Sequence, residues 1–231
     1  MANSAPTGLN RFYLILGAVA VVGVGALVFL MRAGPVSIPA NVVVQISDTL
    51  GFRGYVAGQP AAPVEIVEYA DYQCPGCANF ETVQWPTIKE RLVDAGKVRW
   101  VYRDFPLNIH RHSRLAAHAA ACADDQARFW ELKRGIYDTQ NEWAYGQDAA
   151  GHFRKLARSF GLDVGRYDAC MKEAKFAGRI QASLDEGTKA GINSTPSFII
   201  GGRIYGSLPY DQMKAIVDSL AAAAGPQAVA Q

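Results

Sequence analysis

The chain has little net charge, +2 over 231 residues, and no long basic run or interleaved aromatic–basic patch. Phosphate backbones call for a dense cationic surface, so nucleic acid is argued against as a partner. No G-x-S-x-G elbow, phosphate-binding loop or dinucleotide fingerprint occurs, and hydrolase and nucleotide-enzyme readings fall away. No internal repeat is present. Cysteine is scarce at four residues, with a single C-x-x-C at Cys74–Cys77. Structural zinc would need two further ligands at compatible spacing. Cys122 and Cys170 stand alone, and His110 and His112 fall between strand and helix patterns. Neither a metal nor a cofactor is expected.

What the chain does have is one long apolar run. From Phe12 to Met31, 20 residues carry no charge and are bounded by Arg11 and Arg32. That matches the roughly 20 residues that cross a bilayer. A cleaved signal peptide has a shorter core and a small-x-small site, whereas Arg32-Ala33-Gly34-Pro35 follows here. The run is predicted to be an uncleaved transmembrane anchor over residues 12–32, after a short tail at 1–11. Flanking charge leans towards a cytoplasmic N-terminus, which places the main domain on the extracytoplasmic side of the cell membrane. Four cysteines in an oxidising compartment agree with that placement.

Residues 33–57 are rich in Gly and Pro and read as a linker, with one short candidate strand at 41–46. A strand follows at 64–69, then a helix over about 74–94 with Phe80, Val83, Trp85, Ile88 and Leu92 as its apolar stripe. Gly96 breaks that helix before a strand at 97–103. A strand–helix–strand crossover implies parallel pairing. Residues 109–191 change to helical spacing, and Asp163 suits an N-cap. A hairpin at 197–205 turns at Gly201-Gly202. A last helix at about 209–222 and an Ala-rich tail at 223–231 complete the chain. The order predicts an α/β fold: a mixed four-stranded sheet flanked by helices, with an all-helical insertion.

The C-x-x-C sits where strand hands over to helix, about one turn apart and within disulfide reach. Cys74 lies beside unpaired helix-start N–H groups and the positive end of the helix dipole, which favour thiolate over thiol. Pro75 suits the first turn, where no N–H is required. Cys77, one turn inside, is expected to be the more buried partner. Thr195-Pro196 directly precedes a strand, where proline marks special geometry and a cis bond is the candidate. Val64, Ile66 and Glu68 share one strand face, so an acid falls where an apolar residue is expected. Glu68 is either buried with a raised pKa or a strand-end carboxylate reaching solvent. Cys122 and Cys170 fall on apolar helix faces, as two buried thiols or as a disulfide. His110, Arg111, His112 and Arg114 read as a solvated loop.

Two stretches together resemble the DsbA-like thiol:disulfide oxidoreductases. The first is Gly58-Gln59-Pro60-Ala61-Ala62-Pro63-Val64-Glu65-Ile66-Val67-Glu68-Tyr69-Ala70-Asp71-Tyr72-Gln73-Cys74-Pro75-Gly76-Cys77. The second is Thr195-Pro196-Ser197-Phe198, with support from Leu115 to Trp130. The likeness spans about residues 58–222 and implies a thioredoxin fold with a helical insertion. It also implies a cis Pro196 packed on a redox-active Cys74–Cys77 pair, with Thr195 pairing to substrate through its backbone. Relatives carry a buried acid at the place of Glu68, able to exchange protons with Cys77. Some relatives pair cysteines within the insertion, and of the three possible pairings the short reach of the C-x-x-C favours 74–77 with 122–170. The implied substrates are unfolded or partly folded exported proteins, and the implied partner is a membrane protein that reoxidises or reduces the pair. Strong oxidases of the family carry histidine where this chain has Gly76, and Thr195 also occurs in isomerases. Reductase, isomerase and tethered client-binding roles are the alternatives to a dithiol oxidase.

Overall fold

The computed structural model describes residues 8–32 and 52–224. The chain divides into two units, residues 1–36 and 37–231. The first holds helix α1 (Gly8–Arg32). Phe12, Tyr13, Leu14 and Val22 are among its exposed apolar side chains. Among the described residues no helix is long and apolar enough to cross a membrane. Side chains of α1 are described from Phe12 to Ala26, so the predicted span 12–32 runs past them. Residues 33–51, with the candidate strand 41–46, and the tail from 225 lie outside the described residues.

In the second unit a five-stranded sheet has the order β1-β3-β2-β4-β5. Its strands are β1 (Tyr55–Ala57), β2 (Val64–Ala70), β3 (Val98–Asp104), β4 (Ser197–Ile200) and β5 (Arg203–Tyr205). β2 and β3 pair in parallel, and the other neighbours are antiparallel. Four strands were expected. The fifth, β1, lies inside the stretch read as linker and pairs with the outer edge of β3. Its flanking glycines explain the misreading. Gly54 and Gly58 have φ of +113° and +91°. A Cβ on them would fall 2.8 Å from the Tyr102 carbonyl oxygen and 2.5 Å from that of Val98. They are glycines because β1 closes onto β3, not because the chain is loose.

The single helix expected over 74–94 is built in four pieces. α2 (Pro75–Asn79) leads into a π-helical turn Phe80–Gln84, then α3 (Trp85–Ile88), then a second π-helical stretch Lys89–Val93. Pro86 supplies a reason for the first: it lacks an N–H and its ring crowds the carbonyl of Thr82. Widening the preceding turn accommodates it, and the Trp85 N–H reaches back to the Phe80 oxygen. The change of register also turns Val83 out, leaving it 58% exposed although α-helical spacing placed it on the apolar stripe.

The insertion comprises α4 (Ser113–Asp124), α5 (Phe129–Asp138), α6 (Gln140–Trp143), α7 (Ala149–Ser159), α8 (Val164–Lys172) and α9 (Ala177–Lys189). Asp163 caps α8 by accepting the Arg166 N–H at 3.0 Å. α4 is nearly all alanine on its buried surface, which lets α5, α7 and α8 close around it. α10 (Tyr210–Ala224) ends the described chain. Even-numbered residues of β2 and β3 divide between two cores. Val64, Ile66, Val98 and Trp100 pack with Phe80, Ile88, Leu92, Met213 and Val217. Ala70, Tyr72 and Tyr102 pack with the insertion. Glu68 is the register partner of Tyr102 and hydrogen-bonds Trp100, so it stands where the two cores meet.

Candidate active site

β2 ends at Ala70, and Asp71-Tyr72-Gln73 turns the chain into α2, with Cys74 as its N-cap residue in extended geometry (φ −71°, ψ 122°). Pro75 follows in the first turn, where its missing N–H is no loss. The Thr195–Pro196 bond is cis. This loop lies against the helix start: a Cβ on Gly76 would sit 3.4 Å from Pro196 Cδ and 3.6 Å from Cys74 Sγ. Cys74 and Cys77 are unbonded thiols in this structure. Cys74 is 9% exposed and Cys77 1%. As a thiol, Cys74 donates to the Thr195 carbonyl at 3.3 Å.

The two thiols are pushed in opposite directions. The Cys74 pKa is lowered to about 5, first because the Cys77 thiol donates to its sulfur. Burial works against this, while Thr195 and the backbone N–H groups of Cys77 and Gly76 add to it. The Thr195 hydroxyl is buried and makes no hydrogen bond in this structure, which leaves it free to turn towards the thiolate. Cys77 is pushed well above its ordinary value, chiefly by burial and then by the donation to Cys74. A site that holds one thiolate next to one thiol is what stepwise thiol–disulfide exchange requires.

Glu68 is buried and accepts a hydrogen bond from Trp100 Nε1 at 3.0 Å. Burial raises its pKa from 4.5 to about 7, opposed by Lys133, assisted by Glu81 and opposed by the Trp100 N–H. The Tyr137 phenol, hydrogen-bonded to the Tyr102 hydroxyl at 3.0 Å, feels both Cys77 and Glu68. Glu68→Gln keeps the acceptor for Trp100 and removes a charge that burial disfavours. Below pH 4.5 the acid is protonated folded and unfolded alike. Between 4.5 and about 7 only the unfolded chain ionises, so stability drains away as pH rises. The variant is therefore expected to gain about 3 kcal/mol near pH 8 and almost nothing near pH 4, read by urea unfolding at both.

Cys122 and Cys170 form a disulfide, with Cα atoms 5.8 Å apart, tying α4 to α8. His118 lies beside it, with its ligand atoms within 4.8 Å of both sulfurs. Closed as a disulfide, neither cysteine offers a thiolate to a metal.

Several site residues escape the sequence. Asp71, at 1% exposure, accepts from Gln73 N, Ser113 Oγ, Leu107 N and His110 Nδ1. Gln73 ties the same turn to the insertion, donating to the Ala144 oxygen and accepting from His112 N. Gln140 donates to the Tyr72 and Cys74 carbonyls at 2.7 and 3.1 Å. The loop read as solvated therefore holds two anchored histidines, His110 on Asp71 and the 7%-exposed His112 on Gly146 O. Lys133 pairs with Glu81 in the interior, ringed by Trp85, Tyr102, Trp130 and Tyr137 at 4.8–5.5 Å. The trace of that pair in the sequence is a lysine within the apolar stripe of α5, between Leu132 and Ile136.

Residues 53–219 match the family model described as Thioredoxin. The chain is 34% identical over 152 residues to the Na(+)/H(+) antiporter NhaA 3 of Salinispora tropica, covering 65% of this chain and 22% of that protein. It is 28% identical over 167 residues to the probable disulfide bond formation protein D of Bacillus anthracis, covering 70% of this chain and 75% of that protein. In three dimensions it is similar to alpha-DsbA1 of Wolbachia pipientis, with a TM-score of 0.66, 23% identity and coverage of 73% and 91%. At that identity the likeness speaks for the fold. The chain spans under a quarter of the two antiporters that head its curated relatives, 22% and 24% of their lengths. The chain belongs to the thioredoxin family.

Proposed function

We propose that the protein is a membrane-anchored, extracytoplasmic dithiol oxidase that introduces disulfides into unfolded or partly folded exported proteins. Cys74, Cys77, Thr195, Pro196 and Glu68 form its working site. In the oxidised enzyme a substrate thiolate attacks Cys74 Sγ, the Cys74–Cys77 bond breaks, and its electron pair leaves on Cys77. A second substrate thiolate then attacks the substrate sulfur of the mixed disulfide and expels Cys74. The substrate is oxidised by two electrons and the enzyme is reduced by two. A membrane redox partner must take those electrons before the next turnover.

The observation that carries this reading is the acidity of Cys74, about 5, beside a Cys77 held well above its ordinary value. Donors that stabilise the Cys74 thiolate stabilise the reduced form, and a stable reduced form makes the pair an oxidant. The anchor rests on the uncharged run Phe12–Met31 within helix α1 and on the exposure of its described apolar side chains. Glycine at 76 favours the second reading, a reductase or isomerase, because it offers no side chain to the thiolate. The reduction potential of the full-length chain in detergent, equilibrated with glutathione, decides between them. A potential above about −200 mV supports the oxidase, and one near −270 mV gives the reductase. Absence of any Cys74–Cys77 couple would leave only a client-binding role.

A further inference from the structure

Asp71 uses every polar group it has. Its Oδ1 accepts from Gln73 N at 2.7 Å and Ser113 Oγ at 2.6 Å. Its Oδ2 accepts from Leu107 N at 2.7 Å and His110 Nδ1 at 2.8 Å. Its carbonyl accepts the Cys74 N–H at 3.1 Å. Its own N–H points at Cys77 Sγ, 3.5 Å away. The carboxylate is shut off from solvent, so all four donors depend on it.

Cys77 has the harder task in the first half of the exchange. When a substrate thiolate attacks Cys74, the electron pair of the broken sulfur–sulfur bond comes to rest on a sulfur that is 1% exposed. Water cannot solvate it there, and an unsolvated buried charge is costly. The groups that lower the Cys77 pKa are the Asp71 N–H and the Thr195 side chain. A donor fixed beforehand towards the atom where charge develops lowers a barrier without reorganising during the reaction. A main-chain N–H is fixed only as well as its residue, and Asp71 is fixed by four hydrogen bonds, three of them from the segment 107–113 that opens the insertion.

We infer that Asp71 is a positioning residue for the first step of exchange: its carboxylate clamp holds its N–H on Cys77 Sγ and so stabilises the Cys77 thiolate as it leaves. The inference rests on the exchange reaction proposed above. The second step expels Cys74, whose donors are Cys77, Thr195 and Gly76, and does not use the clamp.

Full-length protein in detergent, oxidised at Cys74–Cys77, is mixed with a peptide carrying two cysteines and quenched with acid at intervals. The rise of mixed disulfide reports the first step and its decay the second. Asp71→Ala is expected to slow the first step about 10-fold and to leave the second nearly unchanged. Asp71→Asn, which keeps one accepting oxygen, falls between it and wild type. Ser113→Ala, which frees one arm, shows a smaller slowing of the same step and keeps the test alive if Asp71→Ala does not fold. Equal slowing of both steps, or a lower melting temperature with the first step intact, would make Asp71 a structural tie and overturn the inference. A wild-type chain that exchanges nothing would instead overturn the functional reading on which it stands.

Discussion

Cys74→Ser is expected to abolish dithiol exchange, whereas Cys77→Ser is expected to hold the protein as a mixed disulfide with its substrate. The asymmetry follows from the two environments. Cys74 caps a helix with Gly76 and Cys77 amides at its sulfur, and its pKa of about 5 leaves about 99% of it ionised at pH 7. An ordinary cysteine would be about 3% ionised at that pH. Cys77 is buried, protonated and able to reach only Cys74, so it is no nucleophile towards a protein substrate. Serine at 74 removes the sulfur that every step passes through, and a hydroxyl there has no redox chemistry. Serine at 77 leaves that thiolate in place and removes the group that would resolve the adduct from inside. Adducts are read on a non-reducing gel after mixing each variant with an oxidised substrate protein. Adducts formed by Cys74→Ser would reverse the assigned roles.

Removing the second disulfide is expected to cost several kcal/mol of stability. Cys122 and Cys170 close a loop with a separation of 48 residues. By the chain-entropy relation the double variant Cys122→Ala/Cys170→Ala loses about 4 kcal/mol, and its melting temperature falls by roughly 10 °C. Both cysteines are buried, Cys122 in the last turn of the alanine-lined α4, so small cavities add to the loss rather than offset it. None of the donors to Cys74 comes from α4 or α8, so its acidity should be unchanged. Urea unfolding without reductant measures the first claim, and a change under about 1 kcal/mol would mean the bridge constrains little.

What the sequence showed and what it hid divide along one physical line. Strand alternation at Val64–Tyr69 and the C-x-x-C at the helix start are local patterns, and strand parity alone put Glu68 on the apolar face where it is found buried. β1 was hidden because Gly54 and Gly58, needed for close approach to β3, look like linker punctuation. Val83 was misplaced because α-helical spacing knows nothing of the π-turn beside Pro86. The deeper omissions are all partnerships between distant residues. Lys133 lies 52 residues from Glu81, and Ser113 lies 42 from Asp71. Each is an unremarkable polar residue until the fold shows its partner. His110 and His112 look solvated in a run of cations and become anchored once Asp71 and Gly146 are brought to them.

The most direct measurement is the ultraviolet absorbance of the reduced full-length protein, followed as pH is raised from strongly acid to alkaline, with Cys74→Ser as the blank. A thiolate that appears with a midpoint near pH 5 and is missing from the blank is the predicted result. A single transition at or above the ordinary cysteine value of about 8.5 would mean the site does not activate Cys74, and the oxidase reading would fall with it.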